Sequence, residues 1–213
     1  MIHVNKVFLF FIFIAFNVSG QNRSLDVIYN SNQNSHLFFN NGNVEFHKVE
    51  NRGELFTEIN FDGLSKSYDI GNPDLPVYSK LIEVPDDGSI SISVINKSES
   101  QVDLTDLGFP DKLMPSQPSI SKSEDPTLVD FKFNEKVYST DEFYANELIS
   151  VERLGIMRGR TIARIKISPF AYNPLTHFLK VIDDLEFKVE YSSNIQHPNN
   201  AHYSRVYSTN FSK

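Results

Sequence analysis

Leu185, Phe187, Val189 and Tyr191 alternate with Glu186, Lys188 and Glu190. A period of two fits one regular structure. Successive side chains of an extended strand point to opposite faces, so this segment buries one face and wets the other; on a helix the same residues would scatter round the axis. The pattern recurs at Ile90, Ile92 and Val94 against Ser91 and Ser93, and at Ala163, Ile165 and Ile167 against Arg164 and Lys166. Residues 44–49 and 55–61 read as further strands. The chain carries 18 Phe and 9 Tyr, both strand-favouring, and no Trp. It has no cysteine at all. The fold must therefore stand on packing without disulfides, and a thiol nucleophile is impossible within this chain.

The turns agree with many short strands. Asp86-Asp87-Gly88 lies between Leu81–Val84 and the Ile90 strand and predicts a hairpin. Asn173-Pro174-Leu175-Thr176 is expected to join the Ile165 strand to Phe178–Ile182. Only Asp141–Ser150 has helical colouring. An all-β fold follows: an antiparallel β-sandwich or barrel-like sheet with at most one short helix. The β-rich domain is expected over residues 44–191. Residues 21–43, rich in Asn and Ser, are poorly patterned and expected to be loosely ordered at their start. Residues 192–213 lose the alternation and read as a linker or processing tail that runs toward something else.

The N-terminus reads as an export signal. Lys6 precedes the apolar run Val7–Phe16, too short to span a membrane, and Val18-Ser19-Gly20 supplies small residues for cleavage between Gly20 and Gln21. No Cys follows, so no lipoprotein anchor is possible there. A formal charge of −7 without a basic stripe argues against nucleic acid. The histidines after the signal, His36, His47, His177, His197 and His202, have no metal-pair spacing, and no metal or other cofactor is implied. The doublets Asp86-Asp87 and Asp183-Asp184 could do acid–base work, but at turns and strand edges aspartate is more often structural. No nucleophile elbow or phosphate-binding glycine loop is present. No catalytic residue is predicted.

One segment stands apart. In Pro115-Ser116-Gln117-Pro118-Ser119-Ile120-Ser121-Lys122-Ser123-Glu124-Asp125-Pro126, three prolines stiffen the backbone and bias it toward extension, and Lys122 is the one basic residue. By itself this is first a proline-rich connector with an exposed lysine. It is also the shape in which a protease reads a substrate.

A set of motifs, in order, resembles the propeptide of gingipain-type cysteine peptidases over about residues 71–191. They are Gly71-Asn72-Pro73-Asp74-Leu75-Pro76-Val77-Tyr78 running into Leu81–Pro85; the loop from Pro115 to Pro126; Tyr138–Tyr144; Met157-Arg158-Gly159; and Pro169-Phe170-Ala171-Tyr172-Asn173-Pro174 with its closing strand to Tyr191. The residues also have plain readings. Gly71 and Pro73 set a turn, Arg158-Gly159 is either a turn or a guanidinium placed against carboxylates, and Tyr172 packs at a corner.

The resemblance implies a domain that is not itself catalytic. It implies a folding aid and inhibitor of a cysteine endopeptidase domain, engaged in cis or in trans, with a basic side chain in the enzyme's specificity pocket. Lys122 falls at that position, flanked by Ile120, Ser121 and Ser123. Arg205 and Lys213 are candidate processing sites, and equally simple linker charges. The resemblance further implies a bacterial precursor exported by the type IX route, through the periplasm to the cell surface or medium, with no stable membrane anchor once the signal is removed. The alternatives are an exported β-sandwich binding or adhesion module, and a hydrolase, for which no nucleophile is apparent.

Overall fold

The computed structural model describes residues 23–60, 63–123 and 129–193. Along them run β1 (Ser24–Asn30), β2 (Asn34–Asn40), β3 (Phe46–Asn51), β4 (Glu54–Ile59), β5 (Tyr78–Glu83), β6 (Ile90–Asp103), α1 (Glu135–Tyr138), β7 (Tyr144–Ala145), β8 (Ile149–Met157), β9 (Arg160–Ile167), β10 (Phe170–Tyr172) and β11 (Phe178–Tyr191). The expected all-β class is what the chain adopts.

The strand with the clearest alternation is the spine. β11 pairs with β6 along its whole length on one side. On the other side β2 covers Asp184–Glu190 and β10 covers Leu179–Val181, with β1 outside β2 and β7 outside β10. Leu185, Phe187 and Val189 are fully buried while the intervening residues are not, as the period of two requires. The second sheet is β5-β9-β8, all antiparallel. Its inward Ala163, Ile165 and Ile167 pack on Leu37, Phe39, Leu185 and Phe187, so two sheets close one core as a sandwich. The tight Arg158-Gly159 corner, with φ of 52° and 75°, turns β8 into β9 as a hairpin.

A second core sits at the other end of β11. Leu179 and Val181 meet Phe170 and Tyr172 of β10, Ile59 of β4, and Leu75, Leu104 and Leu113 from connecting segments. β3 and β4 form a separate hairpin beside it.

Four expectations change. Residues 21–43 hold two strands, β1 and β2, and β2 lies inside the large sheet rather than in a loose lead-in. Asp86-Asp87-Gly88 is not a hairpin: β5 pairs with β9 and β6 with β11, so residues 84–89 cross from one sheet to the other. Asn173–Thr176 joins β10, not β9, to β11, because Ser168-Pro169 first carries the chain between sheets. Asp141–Ser150 is not helical and holds β7 and the start of β8. The short helix comes earlier, where Asn134 caps it by accepting from the Val137 N–H.

Candidate functional site

The proline-bearing loop leaves the second core as one limb and returns as another, and each limb is anchored differently. The outgoing limb is stitched by backbone bonds. Thr57 N donates to Lys112 O at 2.9 Å, Met114 N to Thr57 O at 2.8 Å and Asp74 N to Met114 O at 2.9 Å. Ser116, fully buried, donates its N–H to Asn72 O and accepts from Gly71 N, both at 2.8 Å. Gly71 takes a φ of 86° at this close approach, which only glycine adopts without strain. Pro115 can lie here because proline lacks a donor, and its bridge partner is Pro73.

The returning limb is held by rings. Phe56, Phe131, Phe133 and Tyr138 form a ladder with centroid spacings of 5.8, 6.5 and 4.2 Å. The Arg52 guanidinium lies over the Phe131 ring and donates to Val129 O. Asn134 N donates to Gly71 O at 2.8 Å, and its side-chain amide to Asn72 Oδ1 at 2.7 Å.

Gln117 closes the frame. Its Nε2 donates to Lys132 O at 2.7 Å while its Oε1 accepts from Lys132 N at 2.9 Å. One side chain thus replaces a strand-like backbone pair across the neck of the loop. Beyond it, the tip Ile120-Ser121-Lys122-Ser123 is exposed. The Ser121 and Ser123 hydroxyls bond at 2.9 Å across the exposed Lys122. Lys122 makes no ion pair with another described residue. Glu124 to Pro126 lie outside the described residues, as do Gly20, Gln21, Arg205, Lys213, His197 and His202.

Buried polar groups brace this end. Tyr138 Oη donates to Leu113 O at 2.6 Å, and Tyr172 Oη accepts from Leu113 N at 3.4 Å. Burial pushes the Tyr138 and Tyr144 hydroxyls well above the usual phenol range, and that of Tyr172 up to about 12. Asp74 is buried beside the Gly71 turn, accepting from Ser67 N and Oγ at 3.4 and 3.2 Å, with Lys66 Nζ at 3.8 Å. Its carboxyl pKa is raised by burial, against the lowering pull of Lys66 and Ser67. Tyr144 Oη donates to Asp69 in the same turn. Between Ser67 and Asp69, Tyr68 has a φ of 61°. A side chain in that region costs about 1–3 kcal/mol.

The other sequence candidates are structural. Asp184 accepts from Asn40 Nδ2 at 2.7 Å and Ser98 Oγ at 3.1 Å, and Asp183 from Ser100 Oγ at 3.0 Å. Asp86 accepts from Thr161 Oγ1. His36 lies 2.8 Å from Glu186 and His47 2.9 Å from Glu58, each across a strand pair. Among the described residues no group of three or more His, Asp or Glu could hold a metal. No described helix is long and apolar enough to cross a membrane. The sequence reading missed Gln117, Lys132, Tyr68 and the aromatic ladder; the alternation Phe131-Lys132-Phe133 is the one signal that pointed to an inward-facing limb.

The Propeptide_C25 family model matches residues 19–211. Lys-gingipain HG66 of Porphyromonas gingivalis is 36% identical over 174 residues, covering 82% of this chain and 10% of that protein. The chain therefore spans about a tenth of the length of such relatives. A structure bearing on the zymogenic latency of gingipain K from the same organism superposes with a TM-score of 0.73 at 35% identity, covering 80% of this chain and 93% of the other. A complex of the Porphyromonas gingivalis RgpB pro- and mature domains gives 0.69 at 18% identity, over 86% and 94%, and shows the shared fold.

Proposed function

This chain belongs to the Propeptide_C25 family, the propeptides of gingipain-type cysteine peptidases, and from that premise we propose that its domain keeps such a peptidase latent by seating Lys122 in the specificity pocket. The observation that carries the reading is the braced neck: Gln117 ties both limbs, so the Ile120–Ser123 tip is presented at little further ordering cost. An ammonium buried against a pocket carboxylate gains charge-assisted hydrogen bonds. A neck held by Gln117 limits the distortion that hydrolysis of a peptide bond in the tip would need. The stronger likeness to Lys-gingipain (36% identical) than to Gingipain R1 (23%) supports a partner that accepts lysine.

In this reading plug and tether belong to opposite ends of β11. The loop roots on the Leu179 end of β11, whereas the chain leaves at Ser192, whose N–H donates to Ser89 O at 3.0 Å at the far end. At about 3.3 Å per residue, the strand from Leu179 to Tyr191 sets these ends about 40 Å apart. Cutting at Arg205 or Lys213, the residues proposed for processing, leaves the plug where it is, so inhibition persists in trans. Export through residues 1–20 with cleavage after Gly20, and a templating role in folding the peptidase, complete the proposal; N-terminal sequencing of secreted protein and refolding yield with and without the domain test them.

The decisive experiment titrates residues 21–213, wild type and Lys122→Ala, against a lysine-specific gingipain-type peptidase. The variant should fold normally and lose about 2–5 kcal/mol, on the order of 30-fold to several thousand-fold in inhibition constant. Equal inhibition by both would remove Lys122 from the mechanism. No inhibition by either, with both folded, would turn attention to a binding-module role.

A further inference from the structure

Beside the root of the plug loop, the chain holds an aromatic side chain out in solvent at the expense of its backbone. Tyr68 lies in the left-handed region, with φ of 61°, and the residue is 65% exposed. It contributes little to either core. A glycine would hold the same turn without strain, so the ring needs another explanation.

The surroundings fix the turn on both sides. Ser65 and Val77 exchange backbone bonds at 2.8 Å, and Ser67 donates twice to the buried Asp74. Asp69 accepts from Tyr144 Oη, and Asn72 N donates to Asp69 O at 3.1 Å. Two residues on, Ile70 is 41% exposed, and the next residue, Gly71, bonds directly to Ser116 at the root of the loop. Tyr68 and Ile70 thus both stand exposed on a hydrogen-bonded turn that leads directly to the root of the loop that carries Lys122.

We propose that Tyr68, with Ile70 beside it, is a second anchor on the peptidase, seated on an apolar shelf at the rim of its specificity cleft. This rests on the plug reading for its partner: a plug that enters the cleft fixes which surface of the peptidase faces the loop root. A tyrosine on a braced turn gives a large, low-entropy contact with a polar tip, the type of residue that dominates binding at interface centres. The lysine would then select the pocket, and the tyrosine would set affinity independently of the side chain the pocket prefers.

Binding of residues 21–213 to a lysine-specific gingipain-type peptidase tests this in two states, with the pocket free and with it filled by a covalent lysyl inhibitor. The proteins are wild type, Tyr68→Gly, Tyr68→Phe and Lys122→Ala. Tyr68→Gly should melt at or above the wild-type temperature, because strain is relieved, yet bind the free peptidase about 30-fold more weakly. Tyr68→Phe should retain most of the affinity. With the pocket filled, wild type and Lys122→Ala should show the same residual binding, and Tyr68→Gly should lose it. Wild-type affinity of Tyr68→Gly in both states would overturn the anchor while leaving the plug intact. Unchanged binding of Lys122→Ala to the free peptidase, with Tyr68→Gly impaired, would overturn the plug and keep the anchor.

Discussion

The two cores strung along β11 are built on different principles. The first lies between two sheets, is lined chiefly by aliphatic and phenylalanine side chains, and has its backbone satisfied by long ladders. The second is closed by β10, the end of β4 and stretches without regular structure. There backbone pairing is supplied by isolated bridges such as Thr57–Leu113 and Pro73–Pro115, and by the buried hydroxyls of Tyr138 and Tyr172. The first core makes the fold; the second makes a socket for one loop. A ladder with one face on the core favours period-two sequence, whereas a socket of irregular segments can hold a proline-bearing loop that the middle of a sheet would not accept.

If that division is right, damage to the first core acts globally. Phe187 is fully buried, and Phe187→Ala should cost about 3–5 kcal/mol, read as a large fall in melting temperature. Inhibition per folded molecule should not change. A variant that stays folded yet inhibits poorly would break the comparison, because the first core would then shape the plug.

Damage to the second core should be local. Tyr138→Phe strips the buried Leu113 carbonyl of its donor, at about 1–3 kcal/mol. Amide exchange should quicken around residues 113–117 more than along β9 and β11. Uniform quickening would mean that the cores unfold as one unit. Gln117→Ala is milder still. It removes the neck clamp for about 1 kcal/mol of net hydrogen bonding but frees the limbs, so inhibition should weaken about tenfold while melting shifts by only about 2–4 °C. A melting shift without loss of inhibition would make the clamp a stability element only.

Legibility follows the same division. β6, β9 and β11 announce themselves because alternation is a local property of sequence. β2 carries it too, at Ser35-His36-Leu37-Phe38-Phe39, but Phe38 on the outer face and the Asn-rich flanks hide it. The Asp86-Asp87-Gly88 turn was visible but its meaning was not, since a hairpin and a crossover between sheets use the same turn chemistry and differ only in distant partners. In the candidate site, Lys122 stands out through its prolines and the family motifs. Gln117 does not, because its partner Lys132 is 15 residues away and glutamine marks no particular conformation. Nor does Tyr68, whose backbone is forced by neighbours rather than by its own preference.

The smallest effect separates the cores by charge. Asp74 is the one carboxylate buried among the described residues, and it sits in the turn that supports the loop. Burial raises its pKa above the usual 3.8, with Lys66 and Ser67 only partly opposing. The folded protein therefore binds this proton more tightly than the unfolded chain does. The stability so gained is fully present below pH 3.8 and is lost as pH rises through the raised folded value. Asp74→Asn keeps an acceptor for Ser67 but cannot titrate. The wild-type melting temperature, relative to the variant, should thus rise as pH is lowered from 7 toward 4, and exchange near residues 113–117 should slow over the same range. The opposite slope would mean that the Lys66 pair at 3.8 Å outweighs the cost of burial. With the predicted slope, mild acid firms the socket, whereas among the described residues no buried carboxylate lies in the first core.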